Sequence, residues 1–292
     1  MRATIARMHV ALTGATGFIG SHVLKELQQH GHEVTALGRD SIDLFDRAAV
    51  ANALRDADAA VHTASPGDAT SADLDAAVAD AAIDAFAGTG KPYAHISGVW
   101  VYGNNDRIDE ASPLDPPALV AWRGAIEERV LEAPDMRGLV VVAGVAYGDG
   151  AGAVPGLLLG SPRDDAGRLI MLGNGQQHWP TVHVADLAAV FRRVLETESA
   201  RGAYLVVDGA NPTVAELTEA AAVAVGAAGA VPGSEQEARA RLGDSFAEVL
   251  LLDQVVVGTR ARDELGWRPT RPGLADEFRS GSDHEVSRSA SI

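Results

Sequence analysis

A chain of 292 residues can bury a core sufficient for one large domain or two unequal lobes. Its 24 Lys and Arg against 40 Asp and Glu leave a formal net charge of −16, which excludes the basic footprint of a general nucleic-acid binder. There is no cysteine, so disulfides, thiolate catalysis and cysteine-held zinc are excluded; without a membrane-length apolar run or a secretory h-region, the sequence reads as cytoplasmic with no membrane contact.

Residues before Met8 read as an unpaired leader, and the first strand signal is His9, Val10, Ala11 and Leu12. The stretch from Ala11 to Leu27 then runs from this strand through Gly14, Gly17 and Gly20 into a helix marked by Ile19, Val23 and Leu27. Strand, glycine turn and helix follow in the order that a dinucleotide site needs. Gly14 permits the tight turn, Gly17 lets backbone approach a pyrophosphate, and Gly20 lets helix and strand lie close. The free N–H groups of the helix then face the phosphates. Gly14, Thr16, Gly17, Phe18, Ile19 and Gly20 are accordingly the first candidate cofactor contacts.

Gly31 caps that helix after His30, and a second strand follows from Glu33 to Leu37. Its tip carries Gly38 and Arg39 where an acidic residue would hold the ribose hydroxyl of NAD, so the expected cofactor is NADP(H) rather than NAD(H). Asp43 and Leu44 come next among the cofactor candidates, then a helix from Arg47 to Leu54 and a third strand from Ala59 to Thr63. His62, Thr63 and Ala64 close the cofactor set, although a histidine within a strand is more often a core group than a catalyst. An alanine-rich helix is expected from Asp73 to Ala87, a strand from Tyr93 to Ser97, and a polar loop from Asn104 to Glu110. Trp122, Ile126 and Val130, spaced by four, mark a helix with Trp122 on its core side.

Leu139 to Val142 is a further buried strand. The glycine-rich stretch from there to Gly175 has little periodicity and reads as a substrate lid. Thr181 to Leu195 is a strand and helix, and Ala203 to Val207 another strand. Thr213 and Glu216 form a capping-box pair that opens the next helix. Alternating strands and helices predict an α/β fold, a doubly wound parallel sheet of Rossmann type with a smaller C-terminal substrate lobe. The expected division is 8–150 with 181–207 for the dinucleotide core, 151–180 with 208–279 for the lobe and lid, and 280–292 as a disordered tail. No histidine cluster has carboxylates at ligand spacing, so no metal site is expected.

Several stretches together resemble the extended short-chain dehydrogenase/reductase family, the NAD-dependent epimerase/dehydratase proteins. They are TGATGFIG at 13–20, AAVHTAS at 59–65, HISGVWVYG at 95–103, VAYGDG at 145–150, TVHVADLA at 181–188 and ELGWRP at 264–269. The resemblance implies a Rossmann core holding NAD(P), a lobe closing over substrate, and a homodimer formed by helices at 73–87 and 119–133. It also implies a tyrosine acid or base, a lysine four residues later and a positioning serine or threonine. This sequence lacks that pair: its 4 tyrosines are followed at that distance by Ser97, Asp106, Ala151 and Asp208, and its lysines are Lys25 and Lys91. Aligned on the helix, Val120 stands at the tyrosine position, Gly124 at the lysine position and Gly98 where many members carry the serine.

Ser97, at the strand end, and Tyr102, the nearest phenol, are the remaining catalytic candidates. Trp100, Arg123, Tyr147 and Trp179 are candidate substrate contacts, with Arg123 also readable as a solvated partner of Glu127, and His183 reads as structural. The expected activity is an NADP(H)-dependent oxidoreductase, more readily a reductase, acting on a small carbonyl or hydroxyl compound. The alternatives are an NADP(H)-binding regulatory protein and a non-redox enzyme on the same fold. A reductase depends less on the missing lysine, because a neutral group can donate a proton directly.

Overall fold

The computed structural model describes residues 7–150 and 152–280. The expected leader and polar tail fall, apart from Arg7 and Ser280, outside the described residues. In chain order the first half comprises β1 (His9–Thr13), α1 (Phe18–Gln29), β2 (Glu33–Leu37), α2 (Arg47–Arg55), β3 (Ala59–His62), α3 (Ser71–Phe86), β4 (Pro92–Gly98), β5 (Asn105–Ile108) and α4 (Trp122–Glu132). Next come β6 (Arg137–Ala143), β7 (Val145–Tyr147), α5 (Ala153–Leu159), β8 (Leu169–Ile170), β9 (Thr181–His183), α6 (Val184–Glu196) and β10 (Gly202–Val206). The last part holds α7 (Val214–Ala224), β11 (Ala230–Val231), α8 (Glu235–Leu242), α9 (Asp244–Leu250), β12 (Gln254–Val256), α10 (Arg260–Glu264) and α11 (Leu274–Ser280).

The main sheet has six strands in the order β10-β6-β4-β3-β1-β2, every pair parallel. Its central strands are apolar on both faces because helices cover both: Val10 and Leu12 turn to one side, and Ala11 to the other. One core lies against α2, α3 and α4, with Leu54, Phe86 and Val130 in it. The other lies against α1 and α6, with Val23, Leu27 and Phe191. From β1 the chain winds outward to β2 at the edge, then crosses back to β3 on the opposite side of β1. That reversal opens a crevice at the carboxyl ends of β1 and β3, where an open α/β sheet takes its ligand.

A third core, around Trp179, Leu217, Leu250 and Phe278, belongs to the lobe. The capping box at Thr213 and Glu216 forms, with the Glu216 N–H donating to Thr213 Oγ1 and the Thr213 N–H to Glu216 Oε2. Three expectations are revised. The polar loop at 104–110 contains β5, which pairs with β12, and the unpatterned stretch before Gly175 holds α5 and β8. Strands of two to four residues carry too little alternation to register in a sequence. Part of the segment assigned to the lobe also returns to the sheet: Ala261, Leu265 and Trp267 pack with α1 and α6.

Two of the quoted stretches meet there. The Trp267 indole N–H donates to the Asp186 carbonyl at 3.0 Å, while the Asp186 carboxylate accepts from Thr270 N, Thr270 Oγ1 and Arg271 N. Arg137, at the start of β6, donates to the carbonyls of Val194, Leu195 and Thr197 and so closes the C-terminal end of α6.

Candidate functional site

The glycine turn is shaped by close approach. Gly14 has φ +79°, and a Cβ there would stand 2.5 Å from the Ala64 nitrogen and 2.6 Å from the Thr63 carbonyl carbon. A Cβ on Gly20 would stand 2.0 Å from the Gly14 carbonyl oxygen. Both positions therefore exclude any side chain, and the turn is locked to the strand end by Thr63 Oγ1 donating to the Thr13 carbonyl at 2.8 Å. Gly17 is the N-cap of α1 and provides no side-chain cap, and the first turn has no acidic residue. Its free N–H groups and dipole suit an anion, and the bare surface at Gly17 lets a pyrophosphate come close, so these residues fit a dinucleotide. Thr16 is exposed beside them, and Phe18 and Ile19 are half-buried. His22, one turn on, ties this helix end to the loop after β7 through Asp149 Oδ2 at 2.8 Å.

At the tip of β2, Gly38 is held by Ser41, and Arg39 stands exposed with no hydrogen bond or ion pair to any described residue. Asp43 accepts from the Phe45 N–H at 3.0 Å, and Leu44 packs against the sheet core.

The far side of the crevice, where β4 ends beside α4, is a buried ionic region. Ser97 Oγ donates to Glu127 Oε1 at 2.5 Å, both residues being buried. Burial pushes the Glu127 carboxyl above its ordinary pKa, against the Ser97 hydrogen bond and the nearby Arg123 charge. Arg123 lies one turn earlier on α4, its guanidinium 5.1 Å from the Trp122 ring centroid. A Cβ on Gly98 would stand 3.4 Å from Arg123 Nη1. Arg123 Nε is buried without a partner. The expected solvated pairing of Arg123 with Glu127 is thus corrected: the carboxyl is turned to Ser97, and the guanidinium is neither solvated at Nε nor bridged.

Beneath this lies a chain of polar contacts linking β1, β3 and β4 through Asp75 of α3. His62 shares its ring nitrogens with Thr13 Oγ1 at 2.6 Å and Asp75 Oδ1 at 3.1 Å. His95 Nε2 is 3.6 Å from Asp75 Oδ2, and His95 Nδ1 is 3.0 Å from the Tyr93 hydroxyl. Burial would raise the Asp75 carboxyl, but the two histidines outweigh it and hold the group well below the usual carboxylate range. Burial depresses His95, against the pull of Asp75. The assignment of the His62 side chain to the cofactor is corrected, since the ring is 0% exposed and both nitrogens are engaged.

Other candidates are enclosed. Tyr102 packs within the sheet core, and burial together with Glu127 pushes its phenol upward. Tyr147 is buried, donating to the Pro272 carbonyl at 2.7 Å, and Trp179 donates to the Leu250 carbonyl at 3.0 Å. In both, a backbone carbonyl satisfies the polar tip, which lets the ring be enclosed instead of covering substrate. Trp100 is half-buried between the sheet core and the lobe, edge-on to Phe246. His183 is structural, accepting from the Ala185 N–H and lying 3.1 Å from Glu277.

Of the named candidates, the structure gathers Ser97 and Arg123 at the β4 edge and the glycines with Thr63 and Ala64 at the β1 edge. Sequence reading missed Glu127 and Asp75. Their signal was an acidic residue on the apolar face of a helix, beside Ile126 for one and Leu74 for the other. A Cβ on Gly124 would stand 3.2 Å from Leu114 Cδ1.

The comparisons with known proteins agree with this architecture. The NAD dependent epimerase/dehydratase family matches residues 10–207. The bovine epimerase family protein SDR39U1 is 29% identical, covering 91% of this chain and 97% of its own. A 3-diazoavenalumate denitrifying reductase from a Streptomyces species is 28% identical over 92% of this chain and 98% of its own. Human epimerase family protein SDR39U1 (isoform 2), solved with NADPH, superimposes with a TM-score of 0.75 at 25% identity, covering 94% of this chain and 99% of that one. Because the matched stretch runs from β1 to just past β10, spanning every strand of the parallel sheet, the chain belongs to the NAD dependent epimerase/dehydratase family.

Proposed function

We propose that the protein is an NADP(H)-dependent reductase of a small carbonyl compound. The observation that carries this reading is the side-chain-free cradle at Gly14, Gly17 and Gly20 facing, across one sheet edge, a buried hydroxyl–carboxyl pair in place of a tyrosine–lysine pair. Arg39, exposed and unpartnered at the β2 tip, supports NADP(H) through its fit to a 2′-phosphate, as does the NADPH in the human relative's structure. The relative named as a reductase supports the direction.

The backbone N–H groups after Gly17 hold the pyrophosphate, and Arg39 the 2′-phosphate. When bound, the dinucleotide supplies a hydride to the carbonyl carbon. The Ser97 hydroxyl, at the carboxyl end of β4, receives the carbonyl oxygen. When Glu127 is protonated, a state that its burial favours, the Ser97–Glu127 hydrogen bond reverses, so that Ser97 passes its own proton to the developing oxyanion and takes one from Glu127. Solvent then returns a proton to the Glu127 carboxylate. Tyr102 has no part in this route.

The test is fluorescence titration with NADPH and NADH, then incubation of stereospecifically deuterated NADPH with a carbonyl panel. Deuterium in a product, with Glu127→Gln lowering kcat but leaving NADPH affinity unchanged, is the expected result. NADPH binding without transfer to any carbonyl would overturn the reductase reading, and absence of binding would overturn the cradle.

A further inference from the structure

Arg123 and Arg137 are both drawn into the fold, and their contrast is informative. Arg137 spends its donors on the carbonyls of Val194, Leu195 and Thr197, as an arginine kept for architecture does. Arg123 makes no hydrogen bond and no ion pair with any described residue. Its Nε is covered, whereas its terminal nitrogens are not among the enclosed atoms. The two carboxylates near enough to influence it are committed elsewhere, Glu127 to Ser97 and Asp75 to His62 and His95. Trp122 offers its ring face, and Gly98 leaves bare backbone beside Nη1. A guanidinium partly drawn from water without a counter-ion is costly, and here Nη1 stands beside Gly98, the last residue of β4 and the chain neighbour of Ser97.

We propose that Arg123 is the receptor for a carboxylate on the substrate, which makes the substrate class a small oxo acid. A carboxylate accepts two parallel N–H bonds from the planar fork of a guanidinium. Anchored there, an oxo acid brings its carbonyl to the end of β4 that carries Ser97 and Gly98. This assignment deepens the reductase reading and rests on it for the reaction, but the anion site itself does not need the cofactor.

The experiment is calorimetric titration of the full chain, with and without saturating NADP+, using sodium benzoate, cinnamate and phenylpyruvate, the amides benzamide and cinnamamide, and inorganic phosphate. At least one carboxylate should bind about tenfold or more tightly than its amide, and Arg123→Met should erase that difference while NADPH affinity stays within about threefold. Arg123→Lys keeps the charge but loses the fork, and should weaken carboxylate binding by at least about fivefold; it serves alone if the methionine variant does not fold. Equal binding of carboxylate and amide, no carboxylate binding, preference for phosphate, or loss of NADPH affinity in the variants each overturns the proposal. Carboxylate binding in a protein that ignores NADPH would instead sink the cofactor reading and leave the receptor standing.

Discussion

The two sides of the crevice are made in opposite ways. At the β1 edge the site consists of absence: three glycines, a positive φ and an uncapped helix end, so that backbone alone meets the ligand. At the β4 edge it consists of ionisable side chains, Glu127, Asp75 and His95 drawn out of water and Arg123 half-buried beside them. The first kind of site is fixed by sterics and tolerates no substitution. The second is fixed by which group faces which, and its chemistry can change while the fold stays the same.

Breaking the first side should have the largest effect. Gly14→Ala places a methyl against Ala64 and forces an unfavourable φ, so we expect NADPH affinity to fall by roughly 100-fold and stability by about 3 kcal/mol, read by fluorescence titration and urea unfolding. Unchanged affinity would show that the cradle is not built as described. Asp75→Asn, on the second side, removes the charge and turns one of the two oxygens that face the buried histidines into a donor, and should cost about 2 kcal/mol in the same unfolding assay, with NADPH affinity little altered. Arg39→Ala should weaken NADPH binding about tenfold and NADH binding hardly at all; equal losses for both would remove Arg39 from the 2′-phosphate.

The smallest effect separates the sides by pH. Histidine in the unfolded chain takes a proton near about 6.5, whereas His95 in the fold takes it lower, so the unfolded state binds more protons and stability falls as pH drops below that value. Asp75, with its depressed carboxyl, adds a second loss further into acid, below about 4. Glu127 works in the opposite sense, its raised pKa favouring the fold on acidification. Urea midpoints should therefore fall between pH 8 and 5, and fall more steeply in Glu127→Gln. A flat profile in both proteins would mean that His95 is not held neutral by the fold.

The same contrast explains what the sequence made legible. Gly14, Gly17 and Gly20 are readable because the constraint is local, a turn between one strand and the next helix. The strands β1, β3 and β6 are readable because parallel strands buried on both faces are continuously apolar. The Ser97–Glu127 pair was not readable: its partners are thirty positions apart, and the place of Glu127 on the apolar face of its helix does not name the residue it meets. Tyr147 and Trp179 were assigned to substrate because aromatic residues near a glycine-rich loop look available. The Pro272 and Leu250 carbonyls that enclose them come from distant parts of the chain.

The return of Trp267 to the α1/α6 face bears on how the chain is made. The parallel sheet is complete in sequence at Val206, yet the face that holds Leu27 and Phe191 lacks one of its largest side chains until residue 267 has been synthesised. Domains generally fold as units during synthesis, and here the unit ends some sixty residues after its last strand. Ribosome-arrested chains of increasing length should gain protease resistance in the N-terminal half only once Trp267 and Thr270 have emerged, with the lobe already threaded between. Translation therefore delivers the segment between β10 and Trp267 before the α1/α6 face of the sheet can close behind it.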